Sequence, residues 1–445
     1  MFFRNMLEKL DVWAAKTDRK PLILRGARQV GKTSAVKMFS KKFDQYIYLN
    51  LDRTEDKVYF ENDSTFQTLL DALFFSKNII KNSGKTLIFI DEIQNSPRAV
   101  SLLRYFYEDT PELYVIAAGS LLESLIDNQI SFPVGRVEYM AMRPCSFEEY
   151  LHAANEIKAL EILDQHPFPE FAHDKLSEHF KEFAIIGGMP AIIESFLENR
   201  DYVKLKPVYD GLIVSYLDDV EKYARNSTMK HVIRHIIHSS FSKAGERIKF
   251  EGFGLSNYRS REIGDAFRTL EKAMLLQLVY PAVNENLPLD IKYRTPKLQM
   301  LDTGLVNHLA GVQGELLRTG SIEAAFRGKI AEHLAGQELI SPESSVLARL
   351  NYWLRDSRNS QAEIDWVIPF KGMLIPVEVK SGHFGKLKSL HIFMDKAPHP
   401  WAVRLYPGKM KLEEVVTPGG KKFKLISMPF YLAGRMGKVL ENHIK

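Results

Sequence analysis

The run Pro21–Thr33 constrains this chain more than any other stretch. Pro21-Leu22-Ile23-Leu24-Arg25 reads as a short buried strand and passes without a break into Gly26-Ala27-Arg28-Gln29-Val30-Gly31-Lys32-Thr33. That is GxxxxGK[ST] in full. The chemistry needs these residue types: glycines let backbone N–H groups turn inward on phosphates, Lys32 reaches the β and γ oxygens, and Thr33 offers a hydroxyl to Mg²⁺. Downstream, Val36 and Phe39 carry helical spacing, so the loop opens a helix whose amino end favours an anion. The sequence therefore predicts an α/β fold with a parallel sheet. ATP contacts are expected from Gly26, Ala27, Arg28, Gln29, Val30, Gly31, Lys32, Thr33 and Ser34.

The second half of such a site belongs on another buried strand. Thr86-Leu87-Ile88-Phe89-Ile90-Asp91-Glu92 is an apolar run ending in two carboxylates. It sets Asp91 at the carboxyl edge of the sheet, where open α/β sheets bind ligands and where Asp91 can share Mg²⁺ with Thr33. Glu92 is placed to deprotonate a water, which suits hydrolysis better than transfer to a substrate hydroxyl. A third strand, Leu113–Ala118, ends in Gly119-Ser120. Ser120 reads either as a sensor of the γ-phosphate or as a small residue closing the strand. Arg136, after Gly135, reads either as an arginine that neutralises transition-state charge or as a surface arginine.

Taken together, Gly26–Thr33, Ile90-Asp91-Glu92, Ala118-Gly119-Ser120, Gly135-Arg136 and Pro144–Tyr150 resemble a prokaryotic AAA-type ATPase. The resemblance is to the group that carries a C-terminal domain of uncharacterised function, and it covers nearly the whole chain. It implies a P-loop NTPase core at 1–150 and a helical lid at 151–225. It also implies catalytic roles for Lys32, Glu92, Ser120 and Arg136.

Between Phe147 and Lys222 the spacing is helical, broken at Gly187-Gly188-Met189-Pro190. From Lys230 to Leu305, helices at 231–241 and 260–274 precede the apolar run Leu275–Tyr280 and a strand at 292–300. This order is that of a winged-helix-like domain at 226–312. Arg259, Arg261 and Arg268 lie on or near its second helix. Yet residues 251–350 hold 11 basic and 12 acidic side chains, which argues against a strong DNA face. His231, His235 and His238 share a helix face but have no carboxylate or thiol partner, so they read as ordinary helix residues.

Strands at 351–355, 363–369 and 373–380 follow, with a turn at Lys371-Gly372. Alternation puts Glu363 and Asp365 on one face, and likewise Glu378 and Lys380. If the hairpin brings Asp365 to Glu378, carboxylates and an ammonium converge where Mg²⁺ and a hydroxide could be held. Glu332, in a helix-like stretch at 325–339, adds a further carboxylate. The order Glu332, Asp365, Glu378-Val379-Lys380 is similar to the PD-(D/E)xK nuclease superfamily, with Ile-Asp in place of Pro-Asp. The resemblance implies an α/β nuclease-like domain at 313–445 with Asp365, Glu378 and Lys380 as its catalytic set. The alternative is a salt-bridged pair in an inactive fold of that type.

Composition limits the remaining classes. At 445 residues, about three domains are expected. Cys145 is the sole cysteine, which excludes an intrachain disulfide and a zinc cluster of several thiolates. Charged residues throughout 1–20 fit no secretory signal, and no apolar run reaches the roughly 18 residues a span needs. A cytoplasmic protein away from membranes is expected. The net charge of +5 divides unevenly: residues 1–200 hold 24 basic and 29 acidic side chains, and residues 201–445 hold 36 and 26. The basic excess points weakly to DNA or RNA near the C-terminal part, with 16 basic against 8 acidic residues from Asn351 onward. The function that follows is an ATP-hydrolysing switch coupled to a nucleic-acid-directed module. The alternative is a nucleotide-regulated interaction scaffold that acts through a homo-oligomer or a partner protein.

Overall fold

The computed structural model describes residues 2–444 except 63, 82, 120–132, 222, 223, 225, 315–328, 356–361 and 383–386. The chain forms two compact units. The first comprises 1–143 with 272–274 and 343–347, and the second comprises 144–271, 275–342 and 348–445.

In the first unit, described strands β1 (Leu22–Arg25), β2 (Gln45–Asn50), β3 (Thr86–Asp91), β4 (Tyr114–Gly119) and β5 (Glu138–Ala141) form a sheet of order β2-β3-β4-β1-β5. Every neighbouring pair is parallel. Parallel sheets are covered on both faces, which explains why the central strands read as unbroken apolar runs. Leu22, Ile23 and Leu24, and likewise Leu87 through Ile90, are fully buried. The helix Pro97–Glu108 closes one side with Ala99, Val100, Leu103 and Phe106. Its start is fixed by Ser96, whose side chain accepts the Ala99 N–H, and by Pro97 in the first turn.

The second unit begins with helices. Ser146 and Glu149 form a capping box at the helix Phe147–Ala153. The helices His173–Ile186 and Pro190–Asn199 flank the Gly-Gly-Met-Pro break. At Gly188 a Cβ would collide with the Cys145 carbonyl, and Cys145 N–H donates to the Gly188 carbonyl at 2.7 Å. The break therefore places two backbone segments in contact as well as ending a helix.

Helices Ser227–Ser240 and Ser260–Lys272 precede an antiparallel ribbon of β6 (Leu276–Val279) and β8 (Lys297–Met300). The strand expected at 292–300 is shorter. Thr295 has φ of 44° and Pro296 has no N–H, so regular pairing begins only at Lys297. Strand β7 (Pro281–Ala282) instead joins a seven-stranded mixed sheet. Its other strands are β9 (Asn351–Leu354), β10 (Glu363–Phe370), β11 (Met373–Val379), β12 (Trp401–Tyr406), β13 (Lys411–Val416) and β14 (Lys422–Pro429), in the order β13-β14-β12-β11-β10-β9-β7. Trp353, Ile364, Val367 and Leu374 pack against Leu390, Phe393 and Met394 of the helix Lys388–Lys396.

One carboxyl in this unit sets a pH dependence. Both Glu338 oxygens lie 3.2 Å from the Phe147 N–H. Burial, with smaller contributions from Glu149 and Glu148, outweighs that hydrogen bond and pushes Glu338 up to about 8. Because this folded value exceeds the unfolded one, the native state holds the proton longer. The associated stability is present below about 4.5 and is lost as pH rises through about 8. Glu338→Gln is expected to flatten denaturant midpoints compared at pH 5 and pH 8, with the variant gaining on wild type at the higher pH. Parallel midpoint curves for the two proteins would assign the pH dependence elsewhere.

Candidate functional site

The loop that follows β1 turns through Gln29 and Gly31, whose φ values are 63° and 97°. Only glycine adopts the second without strain. Gly31 then caps the helix Lys32–Phe39, which buries Ala35, Val36 and Phe39. Lys32 folds back over the loop, its Nζ donating to the carbonyls of Gly26 at 2.8 Å and Ala27 at 2.9 Å. A phosphate in the loop would offer this ammonium charged oxygens in their place.

Order β1, β4, β3 brings the carboxyl end of β3 beside this loop. Thr33 Oγ1 donates to Asp91 Oδ2 at 2.7 Å, and Asp91 Oδ1 accepts the Glu92 N–H at 3.1 Å. Asp91 is 4% exposed. A hydroxyl and a carboxylate, both hard oxygen donors, thus meet next to the phosphate loop, and this donor set fits Mg²⁺. Glu92 follows in the left-handed region at φ 52°, an uncommon conformation for a residue with a Cβ. Its Oε2 accepts Gln94 Nε2 at 2.5 Å. Burial raises its pKa, Gln94 and Lys32 oppose that rise, and Asp91 and Asp52 add to it. The carboxylate therefore lies within electrostatic reach of Lys32.

Ser120 lies outside the described residues. Arg136 is a surface side chain whose Nε ion-pairs with Glu108, and Arg136 draws the Glu108 carboxyl below its ordinary range.

Three residues absent from the sequence reading support the site. Arg4, 6% exposed, donates to Val30 O at 2.6 Å and to Arg143 O at 2.7 Å, fixing the back of the loop. Tyr48 OH donates to Asp91 Oδ2 at 3.3 Å, and burial together with the Asp91 charge pushes the phenol up to about 12. Gln94 holds Glu92. Only Arg4 left a trace in the sequence, as a lone cation in the apolar opening Phe2-Phe3-Arg4.

The second cluster lies on the seven-stranded sheet. The β10–β11 register pairs Trp366 with Val377, which sets Asp365 beside Glu378. Asp365 Oδ2 accepts the Val379 N–H at 2.7 Å, and Glu378 Oε1 accepts Lys380 Nζ at 2.6 Å. Burial raises both carboxyls, Asp365 strongly; Glu332 adds to each, and Glu378 adds to Asp365. Glu332 enters from the helix Lys329–Ile340. The structure thus gathers Glu332, Asp365, Glu378 and Lys380.

It also adds two unexpected cations. Lys297 of β8 pairs with Glu363 at 2.6 Å and Glu332 at 3.1 Å, and Arg247 Nε pairs with Glu363 at 3.3 Å. Among the described residues, no three His, Cys, Asp or Glu side chains are arranged to hold a metal ion. Of the three helix-face histidines, His235 contacts the Phe253 carbonyl through Nε2 at 3.1 Å.

Comparison with known proteins finds three family matches along the chain. An AAA domain family matches residues 18–151, a domain of unknown function (DUF8612) matches 177–316, and another (DUF4143) matches 327–430. The 18–151 segment is thus an AAA-type domain of the P-loop ATPase kind, the class that binds nucleotide with Mg²⁺. The two later matches carry no activity with them. No curated protein matches the chain.

Among solved structures, the Walker-type ATPase PABY2304 of Pyrococcus abyssi is 15% identical with a TM-score of 0.43, over 69% of this chain and 96% of that one. The RuvB Holliday junction branch migration motor of Thermotoga maritima is 14% identical with a TM-score of 0.28, over 62% and 90%. The Orc1 protein of Aeropyrum pernix in complex with DNA is 15% identical with a TM-score of 0.28, over 71% and 92%. No helix among the described residues is long and apolar enough to cross a membrane.

Proposed function

We propose that the chain is a Mg²⁺-dependent ATPase whose hydrolysis cycle switches a nucleic-acid-directed C-terminal module. The observation that carries the first half is the Thr33–Asp91 contact with Glu92 beside it. Gly26–Ser34 wrap the phosphates, and Lys32 exchanges its loop carbonyls for phosphate oxygens. Thr33 and Asp91 would hold Mg²⁺, which would supply charge neutralisation on those oxygens. Glu92 takes the proton of the attacking water. Ser120 acts as the γ-phosphate sensor, and Arg136 serves as the charge-neutralising arginine after leaving Glu108, in its own subunit or a second copy.

Asp91→Asn is expected to shift the Mg²⁺ dependence of phosphate release upward by about 10–100-fold, the usual cost of disturbing a metal's supporting carboxylate. Nucleotide binding measured without Mg²⁺ should hardly move. An unchanged Mg²⁺ curve would remove Asp91 from the metal site.

For the second half, the helix, helix and ribbon order at 227–300 supports a winged-helix-like domain between the lid and the terminus. Arg259, Arg261 and Arg268 are exposed there, although Arg268 is paired to Asp265 at 2.6 Å. The convergence of Glu332, Asp365, Glu378 and Lys380 supports a nuclease-like domain at 313–445 acting on DNA or RNA. The second reading, a nucleotide-regulated scaffold with an inactive fold of this type, is favoured by the ammonium of Lys297 standing among these carboxylates.

A further inference from the structure

Lys297 is the member of the carboxylate cluster that neither reading assigns a task. It comes from the two-stranded ribbon, whereas Glu363, Asp365 and Glu378 lie on the seven-stranded sheet and Glu332 on the helix Lys329–Ile340. Its Nζ lies 2.6 Å from Glu363 Oε1, 3.1 Å from Glu332 Oε2 and 3.8 Å from Asp365 Oδ1. The residue is only 4% exposed. Burial opposes a charged amine, but Glu332, Asp365 and Glu363 outweigh it and keep the ammonium charged above its ordinary range.

A second, independent observation concerns Glu378, which is 6% exposed. One of its oxygens accepts Lys380, while Oε2 is buried without any hydrogen-bond partner. Lys380, Glu332 and Lys297 are the charges that act on Glu378, so the unpaired oxygen belongs to the same cluster. Buried acceptors left unpaired are costly, and a bound cation would satisfy this one.

The donor set is entirely carboxylate oxygen, the chemistry of hard divalent ions. Four carboxyls, Glu332, Glu363, Asp365 and Glu378, stand with three cations, Lys297, Lys380 and Arg247. Metal–oxygen bonds of Mg²⁺ need about 2.0–2.1 Å. The Lys297 ammonium, 2.6, 3.1 and 3.8 Å from Glu363, Glu332 and Asp365, stands where such an ion would meet these oxygens.

The geometry points to Lys297 as a tethered cation in the divalent-metal position of this cluster, which is shut to Mg²⁺ while Lys297 is inserted and becomes a divalent-cation site when it is withdrawn. The inference rests on the nuclease-like reading for what the opened site would do, but not for whether an ion binds there.

Mn²⁺ titration of the full-length, nucleotide-free chain tests it, with isothermal calorimetry as the readout. Lys297→Met is expected to take up one Mn²⁺ per chain at least tenfold more tightly than wild type. The gain should vanish when Asp365→Asn is added. If Lys297→Met alone fails to fold, Lys297→Met/Glu363→Gln removes one charge of each sign, leaves three carboxylates, and carries the same expectation. Wild type binding Mn²⁺ at Asp365 as tightly as the variant would overturn the assignment. So would folded variants, judged by circular dichroism, that bind no better than wild type. Plasmid cleavage measured in parallel separates the two ideas. Mn²⁺ uptake without cleavage supports the tethered cation and ends the nuclease reading, whereas uptake with Asp365-dependent cleavage supports both.

Discussion

Glu92→Gln is expected to reduce ATP turnover by about 10²–10⁴-fold, the range that a positioned general base contributes, while nucleotide still binds. The amide has nearly the shape of the carboxylate and keeps an oxygen for Gln94 Nε2, but it cannot accept the proton of water. Burial raises the pKa of Glu92, with Gln94 and Lys32 restraining the rise. Its backbone is left-handed, φ 52° and ψ 43°, an uncommon conformation for a residue with a Cβ. Steady-state phosphate release alongside fluorescent-nucleotide binding decides the matter. Equal turnover in the two proteins would take Glu92 out of the reaction, and loss of binding together with turnover would mark it as a structural support of the loop.

The parts of this site that the sequence exposed are those built from contiguous residues. A phosphate loop lies within one turn of chain, and its strand and helix adjoin it. Asp91 was legible for a related reason, because an apolar run that ends in a carboxylate reveals where a buried strand reaches solvent. The β10–β11 hairpin was equally readable, since the Lys371-Gly372 turn fixes the register that brings Asp365 to Glu378.

What stayed hidden depends on chain excursions of tens of residues. Arg4 grips Val30 across 26 positions, Tyr48 reaches Asp91 across 43, and Lys297 meets Glu332 across 35. Lys297 was further obscured by its neighbours. Placing a strand across 292–300 hid the break at Thr295-Pro296 and with it the point where the ribbon starts. Nothing in local propensity says that a strand of one sheet will push its lysine among the acids of another.

Asp302→Ala should cost the second unit about 3–5 kcal/mol, the usual result of stripping a buried charged group from its partners. Gly187-Gly188-Met189-Pro190 reads in sequence as a gap between helices, but the structure makes it one half of a joint. Asp302 is fully buried and caps the helix Thr303–Leu309 through the Leu305 N–H at 3.1 Å. Its other oxygen accepts the Gly188 N–H at 2.5 Å and Gln337 Nε2 at 3.3 Å. One carboxyl therefore ties together the helix break, a helix start and the helix Lys329–Ile340. Tyr209 OH and Asn307 Nδ2 donate to the last carbonyls of His173–Ile186 at the same place, at 2.7 and 2.9 Å.

Alanine strands all three donors, each worth about 1–3 kcal/mol when left unsatisfied in the interior. Asparagine recovers only part of this loss, because its single oxygen cannot serve donors on both sides and its amide would face an N–H. Urea unfolding followed by circular dichroism should show wild type as the most stable, then Asp302→Asn, then Asp302→Ala. A loss below about 1 kcal/mol in the alanine variant, close to the average for any point substitution, would mean that the joint is held by packing of Ile186 and its neighbours and not by the carboxyl.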